Sequence, residues 1–197
     1  MNFILASASP RRREILAHLG LDFTVVVADA DESTQEREAT RLVEQISERK
    51  ALAVRDRLAT QGKLTPDTVI LAADTVVVSP SGDILGKPRS DADAARMLAE
   101  LSGNTHRVVS GITVCTADRT VSAHEVTEVT FANLSQSIID RYVASGEPHD
   151  KAGAYGIQDT AALWIQGIRG DYFNVVGLPV HRLEQTLNSH FGLSIWG

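Results

Sequence analysis

The sequence predicts an α/β protein with a mixed central sheet flanked by helices. Two observations lead to this class. Short β-branched runs alternate with helical patterns in the first part of the chain, and strand-like runs follow one another directly within residues 107–132. Alternating elements favour parallel strands, whereas consecutive strands favour antiparallel pairing, so a sheet containing both is expected.

The elements can be placed along the chain by the period of their apolar residues. Runs rich in β-branched residues predict strands at 2–6, 23–28, 68–78, 107–116 and 120–132, with a short return strand within SPSGDILGKP. Helical spacing predicts helices at 10–19, 38–60, 91–101, 135–144 and 178–191. The segment DKAGAYGIQ is expected to form a glycine-containing loop or the edge of a strand.

Turn-forming residues mark several of these boundaries. Ser9 and Pro10 are the residue types of an N-cap and a first helical position, and Ser135 is a second candidate N-cap. Gly20 and Gly103 are expected to end the helices before them, because glycine readily takes the left-handed conformation found at helix C-termini.

Length and composition place the chain among ordinary globular proteins. Its 197 residues suffice for one domain, residues 1–197, within which 83–131 can form a semi-separate lobe. The formal net charge of −6 argues against a general nucleic-acid binder, which would carry a basic surface.

Cysteine content and apolar run length indicate the compartment. Cys115 is the only cysteine, so no disulfide can form within the chain, which favours a reducing cytoplasm. The apolar run before ASASP is too short for a signal peptide, and no apolar stretch approaches membrane-spanning length. We therefore expect a cytoplasmic protein without membrane partners.

Three consecutive arginines, residues 11–13, stand where a helix is expected to begin. That helix end carries a partial positive charge, so cations there are unfavourable unless an anion binds. A polyphosphate would supply the anion, because guanidinium groups bind phosphate in a bidentate manner. The alternative is solvated arginines, which we expect for Arg13. The same dipole argument predicts that Arg12→Ala preserves or raises the stability of the ligand-free protein.

Asp74 is the one charged residue in the apolar run TVILAADTVVV. A carboxylate in an apolar strand is costly unless it is paired, hydrogen-bonded or bound to a metal. A structural cation, a strand end near Ala73, or a role in holding Mg²⁺ or orienting water would each explain it.

Other polar residues are weaker candidates. The acidic loop ADADES contains Glu32 and is expected to be solvated unless it faces a triphosphate, when a carboxylate there could hold a metal. Lys87 is framed by Gly86 and Pro88, which favours a fixed position over that of a free surface lysine. Lys50 lies on the long helix, where it could be a surface lysine or a lysine with a fixed role in binding.

Several common chemistries fit the sequence poorly. It contains no Walker A loop, no G-x-G-x-x-G and no histidine spacing typical of zinc sites. The residues by themselves therefore indicate an α/β protein for a phosphorylated ligand. They leave open whether it is an enzyme or a binding module.

An ordered set of short motifs resembles the Maf family. LASASPRR, SERKA, LAADTVV, GKP, LSGNTHRVVSG, VTF, DKAGAYGIQ and VVGLP occur in the order expected of that family and span residues 5–187. The resemblance implies an ITPase-like fold with two lobes around a deep cleft, commonly as a homodimer. It also implies a nucleoside triphosphate pyrophosphatase that uses a divalent cation, Mg²⁺ or alternatively Mn²⁺.

The resemblance further implies roles for individual residues. Asp74 would be the proton acceptor or, with Glu32, a metal ligand. The phosphate-side residues would be Ser7, Arg12, Lys50 and Lys87.

Substrate preference would follow from the branch of the family. Arg12, Thr75 and Gln158 match the branch acting on dTTP and UTP. Regular strand alternation would direct Thr75 away from the face of Asp74, so a base contact by Thr75 requires a bend or a strand end. A sister branch acting on 7-methyl-GTP, and a non-catalytic nucleotide-binding regulator of septum formation, are the alternatives.

Overall fold

The computed structural model describes residues 1–196 and contains a seven-stranded sheet. The strands are β1 (Asn2–Leu5), β2 (Phe23–Val25), β3 (Thr68–Val78), β4 (Ile84–Leu85), β5 (Thr105–Cys115), β6 (Thr120–Phe131) and β7 (Ile165–Arg169). The helices are α1 (Pro10–His18), α2 (Ala39–Thr60), α3 (Asp91–Leu101), α4 (Gln136–Ala144), α5 (Tyr172–Val176) and α6 (Val180–Phe191). Short 3₁₀ turns cover Glu147–Asp150, Ala152–Ala154 and Thr160–Trp164.

The sheet is mixed, as predicted. Its strand order is β2-β1-β3-β5-β6-β7, with β4 paired to β3. Strand β1 runs parallel to both β2 and β3, whereas β4 is antiparallel to β3 and β7 is antiparallel to β6. Among residues 1–196, no helix is long and apolar enough to cross a membrane.

The chain divides into two compact units. The first contains Met1–Asp74, Ser110–Glu125 and Gly177–Gly197, and the second contains Thr75–Val109 and Val126–Val176. The second unit thus includes residues 83–109 and 126–131 of the expected lobe and continues to Val176, whereas residues 110–125 belong to the first unit.

In the first unit, the long helix α2 packs on the parallel strands. Its buried residues Ala51, Val54 and Leu58 form one apolar cluster with Ile4 of β1 and Ile70 of β3. The backbone of α2 also approaches β5 closely, since a Cβ at Gly111 would overlap the Val43 backbone. This packing fixes which face of α2 is turned toward the sheet.

In the second unit, α3 and α4 supply the apolar side chains that cover the sheet. Leu98 and Leu101 of α3 and Ile139 of α4 share a cluster with Val129 and Phe131 of β6. Both helices have serine N-caps: Ser90 Oγ accepts a hydrogen bond from the Asp93 N–H, and Ser135 Oγ accepts one from the Ile138 N–H. The Ser135 cap is the one predicted from the sequence.

The structure corrects several predicted boundaries. The second strand ends at Val25 instead of residue 28, and the last helix begins at Val180, because Pro179 has an extended backbone at its N-cap. Strand β7 and helix α5 were not predicted; both are short, and β7 is largely exposed. Ser9 is the N-cap of α1 by position, but its side chain makes no capping hydrogen bond.

Candidate active site

Lys50 joins two carboxylates in the first unit. Its Nζ donates to Asp74 Oδ1 at 2.7 Å and lies 3.2 Å from Glu32 Oε2. The Lys50 and Asp74 side chains are only 19% and 14% exposed, whereas Glu32 is 58% exposed. Three of the residues proposed from the sequence therefore lie together, although they come from a loop, a helix and a strand.

Asp74 lies within β3, and its charge is compensated by Lys50. The alternative of a strand end near Ala73 is wrong, because β3 continues to Val78. A cation partner was one of the explanations for a carboxylate in this apolar run, and Lys50 is that partner. The ion pair removes the cost of burying an unpaired charge.

Lys50 reaches Asp74 because of its place on α2. Ala51 and Val54 are fully or almost fully buried in the cluster with β1 and β3, so this turn of the helix lies against the sheet. One residue before Ala51, Lys50 lies at the margin of that packed face and extends its long side chain to the strand carboxylate. The neighbouring Arg49 instead donates to the carbonyl oxygens of Asp31 and Ser33, holding the acidic loop that contains Glu32.

Arg12 is bound to three oxygen atoms of the first unit. Its Nη1 donates to Ser7 Oγ at 3.1 Å and to the Ala73 carbonyl at 2.9 Å, and its Nε donates to the Gly177 carbonyl at 2.8 Å. Ser7 Oγ also accepts the Ser9 N–H at 3.2 Å. Ser7 and Arg12, both proposed as phosphate-side residues, therefore contact each other at the start of α1.

The Arg12 guanidinium also interacts electrostatically with the carboxylates of Asp74 and Glu32. Burial lowers the pKa of Arg12 and Arg11 adds to that shift, while Asp74 and Glu32 oppose it. Arginine remains charged under all ordinary conditions, so the first unit gathers two cations and two carboxylates. The helix dipole is thus balanced here by carboxylates and carbonyl oxygens, which the dipole argument from sequence did not anticipate.

The remaining proposed residues belong to the second unit. Lys87 is exposed in the bend after β4, next to Gly86, whose carbonyl accepts the Gly153 N–H. Gln158 is exposed in the turn that follows Gly156. Thr75 directly follows Asp74 within the continuing strand β3, so the strand end that would favour a shared face is absent there, and regular alternation directs it to the opposite face.

Two contributors to the site could not have been found from side-chain chemistry. The carbonyl oxygens of Ala73 and Gly177 hold Arg12, and every residue carries such a group. The sequence signal is indirect: residue 177 is a glycine two positions before Pro179, the N-cap of α6, and its φ of +120° is a conformation that glycine adopts easily.

Glu32 and Asp74 are the residues that could hold a divalent cation. Both offer carboxylate oxygens, the ligands that Mg²⁺ prefers, and both face the same ammonium group. Within residues 1–196, no group of three or more His, Cys, Asp or Glu side chains is arranged to hold a metal. An ion bound here would complete its coordination with water and oxygen atoms of a ligand, a common arrangement for Mg²⁺.

A mixed α/β fold that brings two partly buried cations and two carboxylates together defines a protein suited to a polyphosphate ligand. The chain belongs to the family of Maf-like proteins, whose model matches residues 2–190.

Named relatives cover almost the whole chain. A dTTP/UTP pyrophosphatase of Moorella thermoacetica is 50% identical over 98% of this chain and 97% of that protein. A dTTP/UTP pyrophosphatase of Symbiobacterium thermophilum is 47% identical over 98% of this chain and 95% of that protein. Among solved structures, the Staphylococcus aureus Ham1 protein is similar with a TM-score of 0.49 and 15% identity, over 68% of this chain and 73% of that chain.

Proposed function

We propose that this chain is a nucleoside triphosphate pyrophosphatase that hydrolyses dTTP and UTP to the nucleoside monophosphate and pyrophosphate. The observation that carries this proposal is the agreement between the full-length relatives, which share that name, and the site. The Arg12, Lys50, Asp74 and Glu32 cluster has both the cations that a triphosphate needs and a carboxylate that can act on water.

The cations bind the phosphates and stabilise the charge that develops on the leaving pyrophosphate. Arg12 is held by Ser7 and two carbonyls, so its guanidinium is oriented before the substrate binds. Such preorganised donors are the main source of electrostatic catalysis, because little reorganisation is needed during the reaction. Lys87, framed by glycine and proline, is the proposed third cation.

In the ligand-free protein, Lys50 is already paired with two carboxylates. Its ammonium group has three donors, and two of its partners are carboxylates that a substrate would not supply. A phosphate oxygen that binds Lys50 therefore competes with Asp74 and Glu32. Substrate binding would thus release carboxylate oxygens for the reaction.

Asp74 is the proposed general base. Once phosphate has drawn the Lys50 ammonium group away, the free carboxylate oxygen can accept a proton from water and direct that water toward the α-phosphorus. Its place in the middle of β3 fixes it on a rigid element, which catalytic geometry requires.

A divalent cation, Mg²⁺ or Mn²⁺, would be held by Glu32 and Asp74 and would neutralise phosphate charge when bound. Base selection is proposed for Arg12 and Gln158, whereas Thr75 is left out because the continuing strand directs it away from the face of Asp74. The amide of Gln158 can donate to a carbonyl and accept from a ring N–H, a pair that uracil and thymine present and cytosine does not.

The decisive experiment measures kcat/KM for dTTP, UTP, CTP, GTP and 7-methyl-GTP with Mg²⁺, and identifies the products. We expect dTTP and UTP to be preferred, with monophosphate and pyrophosphate released. A preference for 7-methyl-GTP would instead place the chain in the sister branch. Nucleotide binding without any turnover would support a regulatory role.

The same assay tests Asp74. Replacing it by asparagine keeps the shape and an oxygen for Lys50 to donate to, but removes the base, so turnover is expected to fall by about 10²- to 10⁴-fold. The matched control is Asp67→Asn, at an exposed residue just before β3. Near wild-type hydrolysis of dTTP by the Asp74 variant would contradict the catalytic assignment.

A further inference from the structure

A buried lysine in the second unit has no role in the proposed chemistry. Lys151 is 8% exposed, and its Nζ contacts three oxygen atoms: the Glu147 carbonyl at 2.7 Å, Asp150 Oδ1 at 2.8 Å and Asp159 Oδ2 at 3.2 Å. These partners match the three donors of an ammonium group, which is what burying the charge requires.

The Lys151 side chain lies against the backbone of the turn that carries Gln158. A Cβ at Gly156 would lie 2.6 Å from Lys151 Cε and closer still to Asp159 Oδ2. Real side chains do not approach that closely, so a Cβ at residue 156 would displace the lysine stem or the Asp159 carboxylate from its present place. Lys151 thus contacts this turn on both sides of Gln158. Its aliphatic stem lies against Gly156, and its ammonium group binds Asp159.

Glu147 fastens the end of the same turn. Its carboxylate accepts hydrogen bonds from the Thr160 N–H at 3.2 Å and from Thr160 Oγ1 at 2.6 Å, while its own carbonyl accepts from Lys151. The Asp159 N–H closes the turn on the Gly156 carbonyl at 3.2 Å. Gln158 itself is exposed, so its backbone is held on both sides while its side chain stays available.

We propose that Lys151 is a positioning residue for base selection: it fixes the turn from Gly156 to Thr160 so that the Gln158 amide meets the pyrimidine base in one orientation. The inference rests on the proposed function, in which Gln158 contacts the base. Amide recognition depends on both donor and acceptor lying within hydrogen-bond distance, so a loosened turn loses discrimination between bases before it loses hydrolysis.

The main test replaces Lys151 by methionine, which keeps the stem but removes the ammonium group. We expect the preference for dTTP over CTP to fall by roughly tenfold, through a raised KM for dTTP with kcat changed less than about threefold. Lys63→Met, at an exposed loop lysine, is the control and should leave both constants unchanged.

A second measurement is independent of activity. Hydrogen exchange of the Asp159 and Thr160 amides reports the closure of the turn directly. We expect faster exchange there in Lys151→Met and unchanged exchange in Lys63→Met. A folded Lys151→Met protein with wild-type exchange and wild-type discrimination would overturn the proposal.

If Lys151→Met does not fold, two milder variants decide the question. Asp159→Asn removes one charged partner at a half-exposed position, and Gly156→Ala forces the turn away from the lysine stem. Both should reduce the dTTP preference, and a wild-type preference in both would refute the inference. A wild-type protein that hydrolyses neither dTTP nor UTP would instead refute the proposed function, and the positioning role with it.

Discussion

Arg12 is a structural residue of the first unit as well as a candidate phosphate ligand. The helix-dipole argument predicts that its removal is neutral or stabilising, but the geometry reverses that expectation. Arg12→Ala would leave the buried carbonyl of Ala73 and that of Gly177 without this donor. The three hydrogen bonds that Arg12 donates stabilise the folded chain by more than an unfavourable helix-end charge costs it.

We therefore expect Arg12→Ala to lower the free energy of unfolding by about 2 kcal/mol without nucleotide. Urea denaturation of the free protein measures this, with Arg13→Ala as the control, because Arg13 is exposed on the same helical turn and should change stability by less than about 0.5 kcal/mol. Equal stability of the two variants would mean that Arg12 serves the ligand alone.

Individual site residues differ in how well the sequence predicts them. Arg12 and Asp74 are recognisable because each contradicts its surroundings, a cation at a helix start and a carboxylate in an apolar strand. The pairing of Lys50 with Asp74 is not recognisable from the residues, because the two lie on different elements and meet only through the packing of α2 on β3.

At the scale of elements, strong periodicity and clear caps produce accurate predictions. The patterns predict residues 68–78 and 91–101 with the observed bounds, because one is a long β-branched run and the other has helical spacing that ends before Gly103. Strand β7 was missed because IQGIR contains a glycine and no alternation. Its hydrogen bonding to β6, a tertiary contact, makes it a strand.

The 3₁₀ turn Ala152–Ala154 shows why DKAGAYGIQ carries glycine. Gly153 has a φ of +67°, and a Cβ there would lie 2.7 Å from Val77 Cγ2. Gly62 offers a matched comparison, since its φ is +66° but an added Cβ would meet no atom within 4 Å.

We expect Gly62→Ala to cost about 1 kcal/mol through backbone strain alone, and Gly153→Ala to cost about 3 kcal/mol because overpacking against Val77 is added. Chemical denaturation of both variants separates the cost of backbone strain from the cost of overpacking. Equal losses would show that Val77 moves aside without cost.

At the scale of the whole molecule, His106 should make stability depend on pH. Its ring is 1% exposed between Phe131 and Tyr155, and its Nε2 is 2.8 Å from the Tyr155 hydroxyl. Its Nδ1 has no hydrogen-bond partner among residues 1–196. Burial lowers the pKa of His106 to about 4 from the ordinary 6.5.

The unfolded chain therefore binds a proton on His106 at a higher pH than the folded chain does. Stability is unaffected by this group above pH 6.5 and falls as the pH drops from 6.5 to about 4, by up to about 3 kcal/mol. Denaturant titrations across this window measure the effect. His106→Leu should lose this contribution, whereas the exposed His18→Ala should retain it, and parallel pH profiles for both variants would contradict the assignment.

The division of the chain into interleaved units restricts how such a protein can change over evolutionary time. Three stretches build the first unit and two build the second, so the polypeptide passes from one to the other four times. Recombination moves contiguous stretches of a gene, and no contiguous stretch encodes either unit alone. Neither half can be exchanged as a cassette or borrowed by another protein. Either unit can therefore change only by substitutions, insertions or deletions within its own separate stretches.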